Sequence, residues 1–399
     1  MSTEGISKDI DLLVIAPHFK YFIEDQIIAM TPFLRTTTVV IPLNRFSPLV
    51  THLPYLKERF YRVKNAVESV ENKYKYENVK IIPSYISGLP TSNFRKRSHI
   101  LATQNIAKQL RKGYKFSLIH AQFMDTPAYI GALLKEEFGT PFVVTGHGWD
   151  VYDLPFRDEW HRNQAKQVLD KADQIITVSK SNAEKLMELG IQSQKLNIIP
   201  NGYDDKIFKS IPSEEARKIL NLPVDKKIVL SVGSLVEVKG HIYLIDSMQT
   251  VLKRRNDLLL IIVGSGPLEA DRRKKAKKLG LNEKILFAGE KEHGEIPIWM
   301  NACDLFILPS LNEGFPTVIS EAMACGKPVI GTHVGGVPEI ISNDKVGVLI
   351  SPKDPETLAM AVLEALSKKW NVEKILEHAK HYSWDNIAKQ MLSVYQRVL

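Results

Sequence analysis

Short apolar runs punctuate the chain. In the first half they fall at residues 12–16, 38–42, 79–83, 117–121, 141–145 and 174–179. In the second half they fall at 227–232, 258–263, 284–288, 305–308, 329–332 and 346–350. Each has the length of a strand, and segments of helical pattern separate most of them. Runs without polar alternation belong to strands covered on both faces, and their alternation with helices predicts parallel, doubly wound α/β sheets.

Two such series fit two Rossmann-like halves better than one sheet, and 399 residues exceed one ordinary core. The boundary is expected at residues 200–212, where turn residues, charges, Pro200 and Pro212 gather. The expected domains are therefore 1–200 and 201–382. Ser213 is the expected N-cap of the next helix, with Glu214 and Glu215 following it.

The densest stretch is 304–341, DLFILPSLNEGFPTVISEAMACGKPVIGTHVGGVPEII. It reads as strand, loop 310–315, helix from Pro316 or Thr317 to near Gly326, strand 329–332, and a glycine loop at Gly335-Gly336 leading to another helix. The first helix opens beside the strand's C-terminal end, where unpaired N–H groups suit a phosphate. Gly314 lets a ligand approach the backbone. Glu313 in the loop and Glu321 in the helix would repel a diphosphate, but both can accept hydrogen bonds from sugar hydroxyls. A nucleotide joined to a sugar is the ligand this pattern implies.

A net charge of +8 is compatible with an anionic partner or with a generally basic surface. Motifs for nucleic acid are missing, and the lysine runs lack interleaved aromatics, so none is expected as a partner. Cys303 and Cys325 lack zinc-type spacing and read as buried thiols. The start lacks a basic leader and no apolar run reaches membrane-helix length. The expectation is a cytoplasmic protein. Residues 54–80 carry Leu56, Phe60, Val63, Val67 and Val70 at helical spacing among Lys57, Arg59, Arg62 and Lys64. This stretch suits either an ordinary surface helix or peripheral contact with the inner, anionic face of a membrane. The cluster Arg95-Lys96-Arg97 extends that surface or is simply solvated. The acidic pair Asp9 and Asp11 precedes the first strand, away from the expected cleft, and no metal site is expected.

Other candidates sit at strand ends. His147, between Gly146 and Gly148, stands where a neutral ring can exchange hydrogen bonds with a hydroxyl. Asp150 orients a hydroxyl or caps the next element. His120 suits packing at least as well as function. In LSVGSLVEVKGH, Gly233 permits close approach and Lys239 can reach phosphate oxygens as a point charge. Gly264 and Gly266 begin a dinucleotide fingerprint that lacks its third glycine.

Taken together, NGYD, VGSLVEVKGH, VGSGP, LFAG and the E-x7-E motif EGFPTVISE, in that order over 198–350, resemble the retaining glycosyltransferases of family 4, also called glycosyl transferases group 1. HGWD and IHAQ extend a looser resemblance into the first half. The resemblance implies a GT-B fold, two Rossmann-like domains facing a central cleft, with the last helix, 383–399, packing back on the N-terminal, acceptor-binding domain. It implies a nucleotide-sugar donor, a UDP-sugar ahead of a GDP- or ADP-sugar, a hydroxyl acceptor, and no required metal or other cofactor. Glu321 would bind ribose and Glu313 would sit beside the transferred sugar. Gly233, Ser234, Gly314, Phe315, Pro316 and Thr317 would line the donor site, residues around Leu286 the base pocket. Lys239 would neutralise the diphosphate, and His147 would stabilise the transition state. Two departures stand out. Ser234 occupies the place of the family's phosphate-binding arginine, and PHFKYFIEDQ replaces the glycine pair after the first strand. The rival classes are a GT-B epimerase or phosphorylase, and a nucleotide-sugar-binding protein weak in transfer.

Overall fold

A computed structural model describes residues 9–44, 76–86 and 92–399. The chain divides into two compact units, Met1–Pro200 with Ile387–Leu399, and Asn201–Asn386.

The first unit holds β1 (Asp11–Ile15), β2 (Thr36–Asn44), β3 (Val79–Ile86), β4 (Leu118–Gln122), β5 (Phe142–Gly146), β6 (Gln174–Thr177) and β7 (Leu196–Ile198). They form one parallel sheet in the order β3-β2-β1-β4-β5-β6-β7. β1, β4 and β5 are buried along their whole length, as continuous apolar runs require. Chain direction across the sheet reverses between β1 and β4, so the C-terminal ends of these strands flank the switch point where α/β sheets bind ligands. The last helix, Trp384–Val398, adds Tyr395 and Met391 to this unit. The Tyr395 hydroxyl lies 2.6 Å from His120 Nδ1, and Gln26 Nε2 donates to Met391 Sδ at 2.9 Å.

The second unit repeats the plan. β8 (Lys227–Val232), β9 (Leu258–Val263), β10 (Ile285–Gly289), β11 (Leu305–Leu308), β12 (Val329–Thr332) and β13 (Gly347–Ile350) form a parallel sheet in the order β10-β9-β8-β11-β12-β13. Its switch point lies between β8 and β11.

Local details differ from the sequence expectation in places. Ser213 is the first residue of helix Ser213–Ile219 and caps nothing; Pro212 stands at the N-cap, with φ −56°. Proline's fixed φ starts the helix without a capping oxygen. Residues 54–75 of the basic stretch lie outside the described residues, as do the side chains of Arg95, Lys96 and Arg97 on helix Ser92–Leu110. Asp11 accepts from Arg35 Nε at 3.0 Å and Thr36 Oγ1 at 2.7 Å, and the Arg35 guanidinium holds its carboxyl below the usual range. Among the described residues no three metal-ligating side chains cluster. Nor is any described helix long and apolar enough to cross a membrane.

Candidate active site

In the second unit the loops after β8, β9 and β11 are tied together by their backbones. Gly233 N–H donates to Val263 O at 2.9 Å, Leu235 N–H to Ser265 O at 2.9 Å, and Leu311 N–H to Val238 O at 2.7 Å. The turn Glu237–Lys239 carries Lys239 to the β11 loop, where its Nζ lies 2.6 Å from Glu313 Oε1. Ser310 Oγ donates to the same oxygen at 2.6 Å. Ser310 is held in turn by Thr332 Oγ1, which donates to its carbonyl at 2.5 Å. Glu313 is thus fixed by an ammonium and a hydroxyl while 92% of its surface is covered, its relative exposure being 8%. Burial makes such charge-assisted contacts stronger than they would be in water.

The same loop is braced from the β12 side. Gly335 is in the left-handed region, φ 49°, and a Cβ there would overlap the Glu313 carbonyl. Glycine is therefore required for both conformation and clearance. Gly336 N–H donates to Gly314 O at 3.1 Å. Helix Thr317–Ala324 starts from this loop with Pro316 at the N-cap and no capping side chain, which leaves its first N–H groups for an anion. Phe315 is buried and packs against Tyr382, ring centroids 5.5 Å apart. Glu321 lies buried one turn into the helix.

The structure therefore brings together Gly233, Lys239, Glu313, Gly314, Phe315, Pro316 and Thr317. Gly233 lies alongside the Lys239 stem, and Ser234 is exposed beside it. Leu286 lies on the outer strand β10, exposed, and pairs with Ile261 in the middle of β9. The next histidine, His241, is buried. Its imidazole is pushed down to about 4 by burial and by the charges of Lys239 and Arg272, so it is neutral near pH 7.

His147 belongs to the first unit, at the end of β5. Its Nε2 lies 2.8 Å from Gln122 Oε1, and its ring packs against Phe22 and Phe123, centroids 4.9 and 4.6 Å away. Asp150 organises this loop. Its fully buried carboxylate accepts from the backbone N–H groups of Met124 (3.0 Å), His147 (3.1 Å) and Gly148 (2.7 Å). Burial pushes its carboxyl up to about 6 against the pull of those donors. Of the two readings open for Asp150, the observed contacts are those of a loop anchor. Asp150→Ala is expected to leave three N–H groups without their acceptor and to lower stability by about 1–3 kcal/mol, measured by urea denaturation. His120 is a packing residue. Its ring nitrogens meet Tyr395 and Thr145 Oγ1, at 2.6 and 2.7 Å, and burial pushes it down to about 3.

Sequence reasoning passed over Ser310, Gln122 and Phe123. Phe123 alone carried a local signal, an aromatic residue directly after a strand end; in the structure it adopts φ 76°. Such strain in a non-glycine residue persists only where its surroundings impose it.

Two parallel Rossmann-like sheets and this arrangement of strand-end loops define a glycosyltransferase of the GT-B class. Residues 212–383 match the model of glycosyl transferases group 1, and residues 49–206 match that of glycosyltransferase family 4. An uncharacterized glycosyltransferase of Methanocaldococcus jannaschii is 30% identical over 87% of this chain and 94% of its own length. The chain belongs to this glycosyltransferase family. A D-inositol 3-phosphate glycosyltransferase of Acidothermus cellulolyticus is 28% identical over 73% of this chain and 70% of its own. Among solved structures, Anabaena HepE in complex with UDP superposes with a TM-score of 0.73 at 19% identity, covering 97% of this chain and 100% of that one. Sucrose-phosphate synthase from Thermosynechococcus elongatus gives 0.76 at 22% identity, covering 98% and 99%.

Proposed function

We propose that this glycosyltransferase moves a sugar from a nucleotide-diphosphate donor, a UDP-sugar, to a hydroxyl acceptor with retention of anomeric configuration. The observation that carries the reading is the Lys239–Glu313 pair, 2.6 Å apart, at the start of helix Thr317–Ala324. An ammonium and a helix N-terminus suit the leaving diphosphate, and the adjoining carboxylates suit hydroxyls. In this reading Lys239 and the helix end stabilise the departing charge, Glu321 accepts from the ribose, Glu313 lies at the sugar, and His147 acts on the transferred sugar. The second unit holds the donor and the first contributes to acceptor binding. Support for uridine comes from HepE, solved with UDP and with UDP-glucose. Support for a small phosphorylated polyol as acceptor comes from the inositol-phosphate relatives.

Thermal melting in the presence of UDP, GDP and ADP tests the donor. A ligand at a hundred times its Kd adds about 2.7 kcal/mol, enough to raise the Tm of the second unit, Asn201–Asn386, by roughly 5–10 °C where that unit melts by itself. UDP is expected to do so; no shift with any of the three would overturn the donor assignment. The anomeric proton coupling of the product, read by NMR from an α-linked donor, tests retention. A β product would overturn it.

A further inference from the structure

We infer that Gln122 is a positioning residue for the transfer reaction, fixing the tautomer and orientation of His147 before any substrate arrives. The inference rests on the proposed role of His147 at the sugar. Gln122 is the last residue of β4 and only 1% exposed, and its Oε1 stands 2.8 Å from His147 Nε2. A carbonyl oxygen cannot donate, so the ring nitrogen supplies the proton, and the neutral imidazole carries it on Nε2.

Every other degree of freedom of this ring is also restrained. Phe22 and Phe123 pack against it from adjacent sides, and the His147 backbone N–H is anchored on Asp150, which also holds the N–H of Met124. The strained backbone of Phe123 delivers its ring to the imidazole while its own N–H donates to Thr145 O at 2.8 Å. One carboxylate and one amide, from the ends of β4 and β5, thus fix main chain and ring together. An amide at this position brings no charge to the imidazole, whereas a carboxylate would favour the imidazolium. A group that must meet a substrate hydroxyl gains from such fixed geometry, because misplacement by about 1 Å can cost 100-fold in rate.

The test combines nitrogen NMR of the 15N-histidine-labelled protein with transfer kinetics. The His147 signals are identified by their loss in His147→Asn. The wild type is expected to show a protonated Nε2 and an unprotonated Nδ1. Gln122→Met should mix the two tautomers, and Gln122→Glu should protonate both nitrogens. Each should lower kcat by about tenfold with donor KM changed less than about threefold. A role confined to packing would lower Tm and leave both the nitrogen signature and kcat unmoved. An unprotonated Nε2 in the wild type overturns the inference without need of any variant. Normal kcat in both Gln122 variants, with His147→Asn inactive, overturns this inference and leaves the role of His147 standing. Full transfer by His147→Asn removes both.

Discussion

Replacing Lys239 by alanine is expected to lower kcat/KM for transfer about 100- to 1,000-fold, about 3–4 kcal/mol of transition-state stabilisation. In the proposed reading Lys239 is the cation that meets the charge developing on a departing nucleoside diphosphate. Ser234 places no guanidinium on the β8 loop, and Arg272 is engaged by Glu237 of that loop at 3.0 Å. Lys239 is 2.6 Å from Glu313, so part of its charge is spent on a carboxylate until a diphosphate arrives. Glu313→Gln supplies the control. It releases Lys239 without removing it, and keeps a hydrogen-bond acceptor for Ser310. If Lys239 serves the diphosphate, Lys239→Ala weakens UDP binding in calorimetry as well as turnover, whereas Glu313→Gln spares UDP binding and loses turnover. Lys239→Ala also strands a buried carboxylate, so its Tm must be measured alongside; an effect on Tm alone, with UDP affinity and kcat within threefold of wild type, would sink the assignment.

The chemistry that was legible in the sequence is chemistry that lies at strand ends. Apolar runs fix where strands stop, and the polar residue or glycine that follows each run is then at the C-terminal edge of a parallel sheet. Lys239, Glu313 and His147 were singled out by that reasoning, and the structure places each in a loop that follows a strand. The central strands needed only their apolar runs to be recognised, because β1, β4, β5, β9, β11 and β12 are buried along their whole length. What stayed hidden depends on partners far away in sequence. His120 meets Tyr395 across 275 positions and Thr145 across 25, and those contacts separate a packing histidine from a ligand. Gln122 reads as the polar end of a strand until His147, 25 residues on, is seen against it. Ser213 looked like an N-cap because serine usually caps, and the proline before it had already fixed the backbone. Arg217 is the clearest case. On a short helix following Glu214 and Glu215 it reads as one more solvated charge, yet it is buried.

Arg217 is also the residue whose loss should cost the fold of the second unit most. Its guanidinium donates from Nε to Ala302 O at 2.9 Å and from Nη1 to Val224 O and Lys226 O at 3.2 and 3.1 Å. Nη2 donates to Asp304 Oδ2 at 2.6 Å. That carboxylate accepts in addition from the N–H of Ile228, on β8, at 2.7 Å, and from Lys227 Nζ at 3.0 Å. One side chain therefore ties helix Ser213–Ile219 to the start of β8 and to the segment entering β11, the two strands that flank the switch point. Removing the guanidinium leaves three carbonyls without their donor and takes the shortest contact from a carboxylate that then keeps only Ile228 N–H and Lys227. Arg217→Met, which keeps the apolar stem, is expected to lower unfolding free energy by about 3–5 kcal/mol. Arg217→Lys keeps the charge but has only three donors on a tetrahedral head and cannot reproduce the planar fork, so it should recover less than half of that loss. Guanidinium denaturation of the three proteins measures both. Because the loops that carry Lys239 and Glu313 spring from β8 and β11, donor affinity in the surviving folded fraction should fall as well. A loss below about 1 kcal/mol in Arg217→Met would mean that the network is a surface decoration and that packing alone seats the helix.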